Sequence, residues 1–204
     1  MGLIARAYRK HNPKGWAIFT DSIKQGNSPR NFSFVAEIGD VNRFASRFRI
    51  AKAFRSIDLE DFSNNTTLGY SAIMKVFLSW SAFEQFMNIL QMKQKDLNQI
   101  LKPYEPNKAI RQIKNADRNK SFYNFIYARV NNTHKKYLDK YFDGDLKNIT
   151  YLASSIRHIF AHGTLTPHSQ NTRPEKVIKV CNIISSFLLQ VMEEEFYKRV
   201  KSPT

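Results

Sequence analysis

The longest apolar stretch of the chain, residues 68–92, constrains the fold more than any other feature. Its apolar side chains recur at i, i+3 and i+4, which is the period of an α-helix. They are Leu68, Ala72, Val76, Phe83, Phe86, Met87 and Leu90, with Ile73, Phe77, Trp80 and Ile89 widening the stripe. A helix that is apolar around most of its circumference has to be covered by other elements. The stretch therefore predicts the central helix of a bundle.

The remaining sequence also favours helices. Seven Gly and seven Pro in 204 residues are few for an all-β fold, which needs many turns. Helical periodicity recurs in residues 34–57, 122–130, 146–162 and 174–200. We expect an all-α helical bundle over residues 61–204. Residues 1–60 are expected to be an N-terminal extension, irregular and then helical, that packs on this core, with Trp16–Phe19 strand-like or irregular.

The charge of the chain is strongly positive, with 32 Lys and Arg against 17 Asp and Glu, a net charge of +15. Such a field attracts polyanions, so RNA is one expected partner; an acidic protein and simple solubility are the alternatives. Tyr104, Tyr123 and Tyr127 lie among basic residues and can either stack on bases or pack in the fold. Basic residues on two predicted helical faces either bind the RNA backbone or are only exposed to solvent. They are Arg43, Arg47, Lys108, Arg111, Lys114 and Arg118.

The sequence also indicates the compartment. A single cysteine, Cys181, rules out an intramolecular disulfide and fits a reducing environment. The apolar run at the start of the sequence is too short for a signal peptide. No stretch approaches the roughly 18 apolar residues that are needed to cross a bilayer. We expect a soluble cytoplasmic protein without a membrane partner.

Several kinds of site are missing from the sequence. It has no Gly-rich phosphate loop, no HExxH motif and no paired cysteines for a metal. His158 and His162 share a helical face and can supply two metal ligands, but no nearby Asp or Glu completes the set. We therefore expect no metal and no cofactor. His11, His134 and His168 lack local partners and are expected at the surface.

The most unusual cluster of cations lies between Ser154 and Pro167. Arg157, His158 and His162 fall within six residues, and Gly163 followed by a proline is typical of a helix end. A guanidinium can stabilise a phosphate and an imidazole can move a proton near neutral pH, so the pair suffices for metal-independent RNA cleavage. Five residues on an ideal helix turn through about 140°, so one helix cannot aim both at one atom. A two-fold dimer can bring both into a shared cleft.

One charge, Glu84, lies deep in the long apolar stretch between Phe83 and Phe86. A carboxylate is rarely buried without a partner. Glu84 either reaches solvent along a narrow polar face or pairs with a buried cation, for which Arg157 is the natural candidate.

The segment Arg157–His162 resembles the R-x4–6-H motif of the HEPN superfamily, the higher eukaryote and prokaryote nucleotide-binding helical domains. The helix with Trp80–Glu84 is similar to the earlier core helix of that family, which often carries an acidic residue. The resemblance covers roughly residues 64–200. It implies a bundle of four to five core helices that forms a homodimer, with the motifs of both chains at the interface.

The resemblance also implies a function. Many HEPN proteins are metal-independent ribonucleases of toxin–antitoxin, defence and CRISPR-associated systems. By this resemblance Arg157 and His162 are catalytic, His158 is the polar residue of the motif and Glu84 orients Arg157. The implied partners are RNA, a second copy of the chain and an antitoxin, of the nucleotidyltransferase type or another.

The endoribonuclease is the leading hypothesis, and a second class of function is the alternative to it. In a non-catalytic RNA-binding or scaffolding helical domain, Arg157 and Glu84 form a buried ion pair. His162 then only caps the helix, where the helix dipole favours a cation. The sequence leaves the endoribonuclease and the binding domain both open.

Overall fold

The computed structural model describes residues 10–140, 147–169 and 172–203, and within these ranges the regular elements are all helices. Three short 3₁₀ turns, Pro29–Phe32, Gln94–Asp96 and Lys102–Tyr104, separate some of them. The expected all-α fold is confirmed. Of the described helices, none is long and apolar enough to span a membrane. The α-helices are α1 Trp16–Lys24, α2 Ile38–Ala53, α3 Asn64–Ile89, α4 Asn98–Leu101, α5 Pro106–Ala116, α6 Ser121–Tyr127, α7 Asn132–Asp139, α8 Asn148–Ala161 and α9 Pro174–Lys201.

Helix α3 is the central helix, as the apolar stretch predicts. It packs against α2, α8 and α9. Its first turn is capped by Ser63, whose hydroxyl accepts the N–H of Thr66 at 3.3 Å. The side chains of Ile73, Val76 and Phe83 are fully buried. Enclosure on several sides explains why the apolar residues of α3 extend beyond a single stripe.

The N-terminal helices share this core. Phe19 of α1 and Phe44 of α2 both pack against Phe196 of α9, with ring centroids 5.9 and 5.7 Å apart. Phe34 stacks on the same ring at 5.2 Å. Phe196 therefore joins the first forty residues of the described chain to its last helix. Residues 1–9 of the expected extension lie outside the described residues.

The strand-like or irregular structure expected for Trp16–Phe19 is wrong, because these residues begin α1. Gly15 precedes the helix with φ +83°, and a Cβ at this position would clash with Val200. Trp16 and Phe19 then lie on one helical face, and both contact the ring of Phe196. Four residues are too few to reveal the helical period in the sequence.

Helix α7 lies between the segments in which the sequence shows helical periodicity, so it was not expected. Asn131 caps it, since its side chain accepts the N–H of His134 at 3.0 Å. The helix that the sequence predicts from Leu146 starts at Asn148. Leu146 itself lies outside the described residues. Helix α7 packs against α8 and carries His134 to it.

A buried ion pair sets the position of α6. The carboxylate of Asp117 accepts the N–H groups of Phe122 and Tyr123 at 3.3 and 2.8 Å and lies 3.0 Å from the Lys176 ammonium of α9. Both side chains are largely buried, so the hydrogen bonds to the carboxylate offset part of its desolvation. The ion pair ties the start of α6 to α9, and α6 itself packs against α8, next to the predicted site.

Replacing Phe196 tests this description of the core. Phe196→Ala is expected to lower the free energy of unfolding by about 3–5 kcal/mol, because it removes a ring shared by α1, α2 and α9. Phe62→Ala is the matched control, since Phe62 is 58% exposed; its effect should stay within about 0.5 kcal/mol. Urea unfolding followed by circular dichroism measures both. Similar values for the two variants would contradict the shared core.

Candidate functional site

The end of α8 places the predicted histidines. Gly163 adopts a left-handed conformation, φ +72°, and a Cβ there would meet no atom within 4 Å, so the backbone conformation is what requires glycine. The N–H of Gly163 donates to the Phe160 carbonyl at 2.9 Å, and that of Thr164 to the Ile159 carbonyl at 3.2 Å. This Schellman arrangement ends the helix at the expected place. His158 lies in the last turn, and His162 follows the helix directly.

The two histidines form a pair at the surface. Their ring centroids are 4.4 Å apart and the rings meet edge to face. His158 is half-buried and His162 is exposed. In the described part of the chain, neither imidazole makes a hydrogen bond to the protein. The pair lines a depression of about 340 Å³ together with Arg129, Ile159 and Thr164. Two titratable rings and a cation therefore share one open site.

Arg129 is a site residue that sequence reasoning missed. Its Nη1 donates to the Phe125 carbonyl at 3.1 Å, and its guanidinium lies 3.7 Å from the centroid of the Phe125 ring. These contacts anchor the side chain at the end of α6. The sequence holds no local signal for Arg129, because only the packing of α6 against α8 brings it to the histidines.

His134, expected at the surface without local partners, is half-buried and does have partners. Its ring nitrogens lie 3.0 Å from Asn131 Oδ1 and 3.0 Å from Ser154 Oγ. Burial, together with the nearby His158, lowers the pKa of His134. Ser154, His158 and His162 follow one another at four-residue intervals, so α8 presents them on one face.

Arg157 occupies the neighbouring side of α8. Its guanidinium lies 5.9 Å from the ring centroid of Phe77 in α3, and Phe77 meets Phe160 edge to face at 6.2 Å. Arg157 is not among the residues that line the depression with His158 and His162. The fold therefore keeps Arg157 and His162 of the same chain in different surroundings, as their helical spacing predicts.

The ion pair expected between Glu84 and Arg157 is not formed. Among the described residues, no cation lies within 4.0 Å of the half-buried Glu84 carboxylate. Arg157 meets α3 at Phe77, which precedes Glu84 by seven residues, roughly 10 Å along the helix axis. Glu84 is thus on the correct helix, but nearly two turns from the arginine that it was expected to orient.

The six basic residues considered for RNA binding are surface residues of α2 and of α5 and its end. Arg43 pairs with Asp40, the Arg47 guanidinium lies 3.5 Å from the Ser81 carbonyl and Lys108 lies 3.3 Å from Glu105. Arg111 and Arg118 are exposed and Lys114 is half-buried. None of the six lines the histidine depression. Exposed pairs of this kind stabilise little and yield easily to a phosphate, so RNA binding by these residues stays a prediction.

A larger groove of about 590 Å³ runs between α5 and α9. Tyr104 on its wall donates its hydroxyl proton to Glu195 at 2.7 Å, and Lys198 lies 2.8 Å from the same hydroxyl. The described residues that line it include amides and a lysine but no histidine. The groove has the polar side chains to bind a polar ligand.

Metal and thiol chemistry receive no support from the described residues. Within residues 10–140, 147–169 and 172–203, no three His, Cys, Asp or Glu side chains are grouped to hold a metal ion. Cys181 is fully buried in α9, as expected for a small core residue, and burial raises the pKa of its thiol.

Comparison of the chain with protein-family models, curated proteins and solved structures finds no match.

The lowered pKa of His134 gives a test of the site's electrostatics. The unfolded chain takes up a proton on this ring before the folded chain does, so stability is fully present above a pH of about 6.5 and decreases as the pH falls through the lowered pKa. His134→Gln is expected to make this decrease shallower. Urea unfolding at several pH values between about 5 and 7.5 measures the slope. His168→Gln, at an exposed position, is the control; equal slopes in both variants would contradict the account.

Proposed function

We propose that the protein is a metal-independent endoribonuclease of the HEPN type. The observation that carries the proposal is the His158–His162 pair, with ring centroids 4.4 Å apart, in an open depression beside an arginine. Cleavage of an RNA strand next to a 2′-hydroxyl needs one group that accepts a proton and one that donates it. Two adjacent imidazoles supply both near neutral pH.

In the proposed reaction the 2′-oxygen attacks the neighbouring phosphorus while one imidazole takes its proton. The bond from phosphorus to the 5′-oxygen breaks, and the other imidazole, as imidazolium, gives that oxygen a proton. The products are a 2′,3′-cyclic phosphate and a 5′-hydroxyl, so atoms and protons balance without an added water or metal. Each proton transfer of this kind accelerates a reaction by about 10²–10⁴. A nearby guanidinium stabilises the charge on the phosphate oxygens.

The proposal includes a homodimer in which Arg157 of one subunit serves the histidines of the other. Its support is the position of Arg157, on the Phe77 side of α8 and apart from the depression. Half-buried Phe77 and Phe160 surround the arginine with apolar surface that a second subunit can cover. A two-fold axis through this surface would make the active site isologous, with two copies per dimer.

A toxin or defence role with a neutralising antitoxin is part of the proposal. An RNA endonuclease that acts inside a cell requires restraint, and a net charge of +15 favours an acidic protein as the partner that supplies it. The missing Glu84–Arg157 contact bears on both candidates, because the binding domain needed it as an ion pair and the endoribonuclease needed it to orient Arg157. The adjacent His158 and His162 rings are the observation that favours the endoribonuclease.

Removal of either imidazole tests the catalytic assignment. The purified protein is expected to cleave a mixed RNA pool in EDTA, because no metal takes part in the proposed steps. His158→Ala and His162→Ala should each lower the rate by about 10² or more. Gel analysis of end-labelled RNA measures the rates.

The matched control is His168→Ala, which removes an exposed histidine whose ring bonds only to Thr66 in the described chain. It should retain the wild-type rate within about twofold. Wild-type cleavage that both site variants preserve would refute the assignment, and an inactive wild type would favour the RNA-binding alternative.

Co-expression of two inactive variants tests the shared site. Arg157→Ala and His162→Ala subunits form mixed dimers in which one site regains both residues if the site spans two chains. About a quarter of the wild-type activity should return, since half of the dimers are mixed and each has one intact site. Light scattering should give twice the 23.8 kDa mass of the chain. Mixed dimers without recovered activity, or a monomer, would contradict the shared site.

A further inference from the structure

The groove between α5 and α9 is separate from the histidine depression, since no described residue lines both. We infer that this groove binds a single-stranded segment of RNA. The bases of the strand contact the uncharged side chains of the groove, and its phosphates contact the exposed cations of α5. The inference deepens the proposed function and rests on it for the class of ligand, RNA.

The first argument is a row of uncharged polar side chains along the groove. Asn182, Ser186 and Gln190 are exposed and follow one another at four-residue intervals on α9. They therefore form one line on the helix, roughly 12 Å long. Gln112 of α5 lines the same groove. In the described part of the chain, none of these four side chains has a hydrogen-bond partner, so their donors and acceptors are available to a ligand.

The second argument is the match between this lining and unpaired bases. Amide and hydroxyl side chains carry donors and acceptors without charge. The edges of unpaired bases display the same mixture, and they are what sequence-specific proteins read in single-stranded RNA. Ala109 and Phe187, which also line the groove, are buried and supply apolar surface for the faces of the bases. A volume of about 590 Å³ is in the range of ligand pockets, roughly 300–1,000 Å³.

The third argument is charge, which favours a polyanion over a neutral peptide. Lys108 lines the groove, and Arg111, three residues further on, is its neighbour on the surface of α5. Arg111 is exposed and has no acidic partner among the described residues. Glu105 is the one acid among the described lining residues, and it lies 3.3 Å from Lys108 in an exposed pair that a phosphate can displace.

The acid next to the groove does not oppose this reading. Glu195 accepts hydrogen bonds from Tyr104 at 2.7 Å and from Lys198 at 3.1 Å, and it also pairs with Arg199. Two cations therefore compensate its charge. The same network fixes Tyr104, a residue of the groove wall, against α9, so this part of the wall is held in place before a ligand binds.

Binding of a labelled, single-stranded 2′-O-methyl RNA tests the inference, because this RNA cannot be cleaved by 2′-oxygen attack. Fluorescence anisotropy measures its Kd. Each hydrogen bond lost from the groove should weaken binding about two- to tenfold, so the triple variant Asn182→Ala, Ser186→Ala and Gln190→Ala should raise the Kd about tenfold or more. Alanine is the strongest helix former, so α9 should stay folded, which circular dichroism verifies.

The control is the double variant Asn42→Ala and Asn88→Ala, which removes exposed amides from α2 and α3. It should leave the Kd within about twofold. A folded triple variant with the wild-type Kd would overturn the inference. Absence of RNA binding by the wild type would overturn it as well, and would leave an extended peptide as the ligand that the amides match.

An abasic strand of the same length separates base contacts from phosphate contacts. It should bind the wild type more weakly than the strand with bases, and the triple variant should weaken it no further. Equal affinity of the two strands for the wild type would overturn the assignment of bases to the groove.

The salt dependence of binding tests the phosphate contacts. Arg111→Ala should lower the slope of log Kd against log salt concentration by about 0.7, the value for one phosphate contact with a single strand. Arg30→Ala removes an exposed cation from the turn Pro29–Phe32 and should leave the slope unchanged. A wild-type slope in Arg111→Ala would overturn the role of this arginine.

The inference and the proposed function fail in different ways. RNA binding that depends on the amides, in a protein that does not cleave RNA in EDTA, would refute the proposed function and leave the groove as an RNA site. Cleavage by a protein whose Kd ignores the amides would refute the groove and leave the proposed function standing.

Discussion

The enclosure of α3 by other helices is the constraint on which the rest of the structure depends. Because α3 is apolar on most of its surface, α2, α8 and α9 have to cover it, and Phe196 of α9 extends the same core to the N-terminal helices. Helix α8 therefore has one side against α3, where Arg157 lies near Phe77. The face with Ser154, His158 and His162 turns towards α6 and α7 instead. The division of cations between two sides of α8 follows from this packing.

That division gives the two arginines different surroundings. Arg129 lines the depression with the histidine pair, whereas Arg157 lies near Phe77 of α3. Among the described residues, no cation lies within 4.0 Å of the Glu84 carboxylate, so Glu84 pairs with neither arginine.

The sequence predicted the features that depend on residues close together along the chain. Helices α3 and α9 are long enough for their period to be read from the sequence, and the helix end at Gly163 depends on a single backbone conformation. Trp16–Phe19 and α7 were missed because short segments carry little periodicity and owe their helical structure to tertiary packing. Arg129 and His134 could not be predicted at the site, since α6 and α7 bring them there from far away in the sequence. The predicted Glu84–Arg157 ion pair was wrong although both helices were predicted. Arg157 meets α3 at Phe77, nearly two helical turns before Glu84, and the sequence does not reveal how far two packed helices are shifted along their axes.

The central claim is that the histidine pair cleaves RNA by proton transfer with the 2′-oxygen as nucleophile. The chemical ends of the RNA fragments test it most directly, because each mechanism leaves its own termini. Mass spectrometry of the fragments from a defined oligonucleotide should find 2′,3′-cyclic phosphates and 5′-hydroxyls, and an oligonucleotide with one 2′-deoxy sugar should resist cleavage at that sugar. Fragments with 3′-hydroxyls and 5′-phosphates, the products of attack by water, would contradict the account.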